Sequence, residues 1–155
     1  MRLMVPGTPQ GLRPDKVVAR GGKVYRYPAP DSAAYLARIR ACWRASGLEP
    51  APAGIPLSLS VTACFPIPPS TRPGLRARMR AGLHLPMRRP GADSLAALVS
   101  GALAGLAYPD PRQVLRLEVC KRYAPGPACL AVELEPLEPP TGPDREEGRH
   151  GAPQC

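Results

Sequence analysis

At 155 residues the chain is long enough for one domain with a real core and too short for two comfortable ones. Its 21 Lys and Arg against 12 Asp and Glu give a net charge of +9, which points to polyanionic partners, nucleic acid first among them. No apolar run approaches the roughly 20 residues of a membrane span, and the N-terminus lacks the apolar core of a signal peptide. Five cysteines without a Cys-x-x-Cys pair argue against structural zinc, and the setting they suit is a reducing cytoplasm.

Met1 to Val5 is a short apolar strand candidate, ended by Pro6-Gly7-Thr8-Pro9. Between Gly11 and Tyr27, two β-prone runs flank Gly21-Gly22, a hairpin signal. Arg20, Lys23 and Arg26 suit either a phosphate-facing loop or a solvated hairpin tip. Asp31-Ser32 offers a helix cap, and Tyr35, Leu36, Ile39, Cys42 and Trp43 then recur at three- and four-residue spacing up to Gly47. That spacing predicts a helix with this face in the core, so Trp43 is read as a core residue in preference to a base-stacking platform. Leu57 to Phe65 alternates apolar with small polar residues, as a strand with one buried face does. Cys42, Cys64 and Cys120 fall inside such apolar patterns, where a reduced thiol behaves as a small hydrophobe.

The basic residues are 18 Arg and 3 Lys, a bias expected in part from GC-rich coding, so position carries more weight than number. Pro66 to Pro90 holds Arg72, Arg76, Arg78, Arg80, Arg88 and Arg89 and no acid. Such a run repels itself and calls for an anionic neighbour or solvent. No periodicity would bury it as a unit, so a mobile loop is expected, with at most a short basic helix over Leu75 to Ala81.

Asp93 opens the clearest helix: Leu95, Leu98, Val99, Ala102, Leu103 and Leu106 fall on one face. The opposite face is small, and its Gly101 and Gly105 would each cost a helix roughly 1 kcal/mol relative to Ala. A sheet or a second subunit is therefore expected close against it. After a turn at Tyr108 to Arg112, Val114 to Cys120 and Leu130 to Glu135 both alternate and are expected to pair antiparallel at the end of the sheet, joined by the turn Tyr123 to Pro127. The elements add up to an α+β fold: a single small domain over residues 1–135, with a mixed β-sheet and two main helices packed on it. Residues 136–155, mostly Pro, Gly and charge with almost no apolar content, are expected to be a disordered tail.

The order of these features resembles one family. Val5-Pro6-Gly7-Thr8-Pro9 with Arg13-Pro14, the hairpin, a helix, a strand ending Phe65-Pro66, the helix start Arg89-Pro90-x-x-Asp93-x-Leu95, Gly105-Leu106-Ala107-Tyr108-x-Asp110 and Lys121-Arg122-Tyr123 resemble the RusA-type Holliday junction resolvases. These are small homodimeric endonucleases of bacteria and their phages that cut four-way DNA junctions with Mg²⁺. The resemblance covers about residues 3 to 135. It implies a RusA-like fold, a role in DNA recombination and repair, a phage or prophage setting, and a homodimer on branched DNA.

The same resemblance shows where the chain departs. The family pattern Lys-Pro-Asp-x-Asp-Asn-Leu reads here Arg89-Pro90-Gly91-Ala92-Asp93-Ser94-Leu95, so Gly91 replaces the first acid and Asp93 keeps the second. The pattern Tyr-x-Asp-Asp-x-Gln reads Tyr108-Pro109-Asp110-Pro111-Arg112-Gln113: Asp110 stands, and Pro111 replaces the acid the family uses catalytically. A family lysine one turn into the helix falls on Ala97. Phosphodiester hydrolysis of this kind needs Mg²⁺ held by a few carboxylates and waters. Asp93 and Asp110 are the candidate catalytic and metal-binding residues, with Glu118 as a supplementary ligand, provided the helix and turn between them bring them together. Each has a plainer role too: Asp93 suits a helix start by capping and dipole, and Asp110 between prolines suits a turn.

Three readings follow. The first is a branched-DNA-binding homodimer whose Mg²⁺-dependent cleavage is weak or lost, with Arg13, Arg72, Arg76, Arg78, Arg80, Arg88, Arg89, Lys121 and Arg122 on phosphates. The second is a fully active endonuclease using Asp93 and Asp110. The third is a non-catalytic protein-interaction module whose Pro/Arg loop meets an acidic partner.

Overall fold

The computed structural model describes residues 1–27 and 29–138. In chain order these form strands β1 (Arg2–Pro6), β2 (Lys16–Arg20) and β3 (Lys23–Tyr27), helix α1 (Pro30–Ser46), strand β4 (Leu57–Phe65), helices α2 (Pro73–Arg80) and α3 (Ala92–Leu103), and strands β5 (Val114–Tyr123) and β6 (Cys129–Pro136). The fold is α+β with a mixed sheet in the order β1-β6-β4-β5, while β2 and β3 make a separate hairpin around Gly21-Gly22. Residues 139–155 of the expected tail lie outside the described residues; Pro136 instead closes β6, and the Leu137 amide donates to the Pro56 carbonyl at 2.8 Å.

Binary pattern decides which face is covered. Leu57, Leu59, Val61, Ala63 and Phe65 of β4 are all but fully buried and meet Tyr35, Ile39 and Trp43 of α1 and Leu95, Leu98, Val99 and Ala102 of α3. Burying one such large aliphatic or aromatic side chain contributes roughly 1.5–3 kcal/mol, so this layer is the main source of stability. The alternate residues Ser58, Ser60, Thr62 and Cys64 lie on the other face beside Arg116, Glu118, Cys120 and Arg122 of β5. No helix covers that face among the described residues.

Several local expectations change. β5 and β6 do not pair with each other: β5 runs parallel to β4, and β6 pairs antiparallel with both β4 and β1. Alternation is the same for either pairing, and the long α2–α3 crossover between β4 and β5 allows the parallel one. The turn after β5 passes the end of β4, where the Ala124 amide donates to the Phe65 carbonyl at 2.8 Å. Residues 66–90 are not a free loop: α2 forms, Met79 is buried, and His84 stacks on Tyr123 with ring centroids 6.2 Å apart. Cys120 is exposed on the open face and does not pack as a core hydrophobe.

The helix ends also differ from the expected caps. Helix α1 starts one residue earlier with Pro30 at its first position, so Ser32 is inside the first turn and buried rather than capping. Its C-terminus ends as expected on Gly47, whose φ of 67° is left-handed. Helix α3 stops at Leu103, so Gly105 (φ 76°) lies in the turn beyond it, and a side chain at Gly101 would meet nothing within 4 Å. Among the described residues no other helix or strand backbone presses on that small face at Gly101. What does reach it is Arg40 of α1, whose guanidinium donates to the Gly101 and Ala102 carbonyls at 3.2 Å and places a cation at the negative end of the α3 dipole.

Candidate active site and nucleic-acid interface

A concavity of about 840 Å³ opens where the β1–β2 connection crosses the start of α3 above the end of β4. Its chemistry comes from Thr8, Gln10, Arg13, Arg88, Arg89 and Asp93, with Phe65 beneath. Two serines hold the connection in place. Ser94 of α3 donates from its hydroxyl to the Leu12 carbonyl at 2.7 Å, and its own carbonyl accepts from the Leu12 amide at 2.9 Å. From the other side Ser32 accepts from the Arg13 amide at 2.9 Å and donates to the Gly11 carbonyl at 3.2 Å. Gly11 is obligatory for this approach: a Cβ there would meet the Pro90 ring and the Ser94 hydroxyl at 2.5 Å. Sequence reasoning missed Gly11, Ser32 and Ser94; the one available signal was Ser94, which stands where the family pattern has another hydrogen-bonding residue, asparagine.

The cations of the cleft are placed by packing. The Arg88 guanidinium and the Lys121 ammonium each lie 5.7 Å from the centre of the buried Phe65 ring, and the Lys121 ammonium donates to the Arg88 carbonyl. The Arg89–Pro90 peptide is cis. Arg13 pairs with the exposed Asp31 at 3.1 Å. Asp93 is exposed in the first turn of α3, where the helix dipole favours a negative charge. It is not a cap: the N-cap is Gly91, which bears no side chain to bond with. The backbone of Gly91 (φ −68°) would accept any residue, but its missing Cβ would run into Asp93 Oδ1. A side chain at 91 and the folded-back carboxylate of Asp93 would therefore compete for the same space.

Asp110 sits elsewhere. It caps the single 3-10 turn Pro111–Gln113, in which the Gln113 side chain accepts from the Asp110 amide at 3.2 Å and donates to the Pro52 and Ile55 carbonyls at 2.7 and 3.0 Å. Both Asp110 oxygens take Arg112: Nε at 3.1 and 3.0 Å, Nη2 at 2.8 Å, with the Arg112 amide at 2.9 Å on Oδ1. These bonds hold the Asp110 carboxyl below the usual carboxylate range and raise the guanidinium. Pro111 occupies the position of the lost acid, at the first residue of the turn.

Helix α3 keeps the two acids apart within one chain. The ten steps from Asp93 to Leu103 advance the axis roughly 15 Å, and Asp110 lies beyond that end. Asp93 shares its cleft with Phe65, the last residue of β4; Asp110 shares a shallower hollow with Pro56, just before β4 begins. Glu118 is beside Ser60 on the open face, away from both. Lys121 and Arg122 also part: Lys121 joins the cleft, while Arg122 donates to Cys64 Sγ at 3.2 Å on the open face, a contact that raises the pKa of the guanidinium further. Arg72, the residue before α2, and Arg78 and Arg80 on it are exposed, and half-buried Arg76 donates to the Pro69 carbonyl at 2.7 Å. Ala97, in the lysine position, is exposed on α3.

The donor set decides what the site can hold. Mg²⁺ takes one or more carboxylates in near-octahedral geometry with ligand bonds of roughly 2.1 Å. Among the described residues no group of three or more His, Cys, Asp or Glu side chains is placed to hold a metal. One carboxylate ringed by Arg13, Arg88 and Arg89 suits an anion such as a phosphate better than a cation. The residues of a single chain do not fit a catalytic Mg²⁺ shared by Asp93 and Asp110. No helix of the described residues is long and apolar enough to cross a membrane.

Compared with protein families, residues 6–135 match the family described as Endodeoxyribonuclease RusA. Comparison with curated proteins gives no match.

Proposed function

The chain belongs to the RusA endodeoxyribonuclease family, whose members are Holliday junction resolvases acting on branched DNA, and we propose that this one binds four-way or branched DNA as a homodimer with Mg²⁺-dependent cleavage weak or lost. The observation that carries the reading is the cleft itself: Arg13, Arg88 and Arg89 line it with a lone carboxylate, Asp93, Lys121 stands over the Phe65 ring at its floor, and Gly91 occupies the place of the neighbouring family acid. Arg13, Arg88, Arg89 and Lys121 provide one phosphate-binding set at the cleft; Arg72, Arg78 and Arg80 extend it along α2, and Arg76 and Arg122 contribute from half-committed positions. Phosphate contacts need none of the missing acids.

The test is a purified protein on a four-way junction, with and without Mg²⁺ or Mn²⁺, scored separately for binding and nicking. The expected result is metal-independent binding with little nicking. Efficient nicking that Asp93→Asn abolishes overturns the impaired reading in favour of an active endonuclease. No binding to branched or duplex DNA at low salt overturns both.

A further inference from the structure

The hairpin of β2 and β3 is exposed at all five residues of each strand, and nothing in the sheet or helices covers it among the described residues. Its register puts Lys16 opposite Tyr27, Val18 opposite Tyr25 and Arg20 opposite Lys23, so these six side chains share one face. That face shows two tyrosine rings to solvent, Tyr25 at 43% and Tyr27 at 53% exposure, among three cations. Arg20 and Lys23 are like charges directly opposite one another, an arrangement that destabilises an antiparallel pair unless an anion lies between them. From Lys16 to Tyr27 there are four cations and no acid, and among the described residues none of the four forms an ion pair. A two-stranded ribbon standing alone is marginal in water, so this one is built to be covered by something that offers both negative charge and flat apolar faces.

Nucleic-acid bases flanked by phosphates offer both. We propose that this face is a finger for the branch point of DNA: Tyr25 and Tyr27 stack on bases left exposed where arms meet, and Lys16, Arg20 and Lys23 hold the adjoining phosphates. The proposal rests on the branched-DNA reading and adds selectivity to it. A linear duplex keeps its base faces inside the stack, whereas an opened junction presents the end pair of each arm. The cleft cations can grip any backbone; the finger recognises a branch.

The experiment titrates the full chain onto a four-way junction carrying 2-aminopurine at the exchange point and onto a linear duplex of matched length, while sedimentation follows self-association. Tyr25→Leu with Tyr27→Leu is expected to lower junction affinity at least roughly tenfold, to remove the 2-aminopurine response, and to leave duplex affinity unchanged. Tyr25→Phe with Tyr27→Phe keeps the rings and retains both signals. Arg20→Gln with Lys23→Gln weakens binding to both DNAs. A leucine pair that binds the junction like wild type overturns the finger while the branched-DNA reading stands. So does a leucine pair that loses self-association, since the face is then an interface between copies. Wild-type protein that binds no branched DNA at low salt overturns the finger together with the reading it rests on.

Discussion

Asp110 is the residue whose chemistry its neighbour most changes. Arg112 occupies both of its oxygens, so a metal or a developing charge must first displace a guanidinium. The pair is exposed, and its consequence is a titration more than a stability effect. Because the folded carboxyl lies below its ordinary range, the small stabilisation it gives is present above the unfolded pKa and lost as pH falls through the folded one. Carboxyl NMR should find Asp110 titrating below an ordinary aspartate in the wild type, and Arg112→Gln should move it upward toward the usual range. No movement would mean that the ion pair is absent in solution. Gly91 carries the complementary prediction. Since Asp93 Oδ1 stands where a side chain at 91 would begin, Gly91→Asp must turn Asp93 outward into the cleft. Combined with Pro111→Asp it is expected to restore nicking, read as product on a four-way junction in Mg²⁺. A double variant that folds and binds but does not nick would place the defect outside these two positions.

At the scale of elements, the cleft depends on how firmly the β1–β2 connection is held against α3. Four hydrogen bonds through Ser32 and Ser94 do this, and Gly11 lets the chains meet. Gly11→Ala should cost roughly 1–3 kcal/mol, as overpacking does, and Ser94→Ala about 0.5–1.5 kcal/mol, as loss of one net hydrogen bond does. Both are read as denaturant midpoints, with faster amide exchange at Leu12. Unchanged exchange in Gly11→Ala would show that the connection can move aside without loss. How legible such features were follows from the forces involved. The face of α1, the strand pattern of β4 and the hairpin at Gly21-Gly22 were readable, because periodicity and turn chemistry are local and the core enforces them. The parallel partner of β5 was not, since alternation records which face is buried and is silent about direction. Nor were the serine latches, because a serine that bonds to a distant loop looks in sequence like one that bonds to water. For the candidate site, the residues at both ends of α3 were readable but their separation was not: a helix of that length carries its ends apart however near they stand in sequence.

At the scale of the whole molecule, charge and symmetry govern what the protein can do. With a net charge of +9, binding should weaken linearly in the logarithm of salt concentration, by about 0.9 per phosphate neutralised on duplex arms. Replacing Arg88 or Arg89 with Gln should reduce that slope by about one, whereas an unchanged slope would remove that residue from the interface. The separation of the acids makes a sharper demand on any cutting. Since α3 sets Asp93 and Asp110 of one chain at its opposite ends, a shared site calls for Asp93 of one protomer and Asp110 of the partner subunit, and a two-fold dimer would provide such a pairing twice. In any preparation that nicks, wild-type or with the acids restored at 91 and 111, Asp93→Asn and Asp110→Asn should each be silent alone. Mixed by co-refolding, roughly half of the dimers carry one of each; in these, one of the two sites has both aspartates and the other has neither. The mixture should therefore nick one strand of a junction without making the paired cut. If it stays silent while the parent preparation cuts, Asp110 does not act across the dimer, and its place in the protein is the one its local bonds describe: a cap on the turn into β5, neutralised by Arg112.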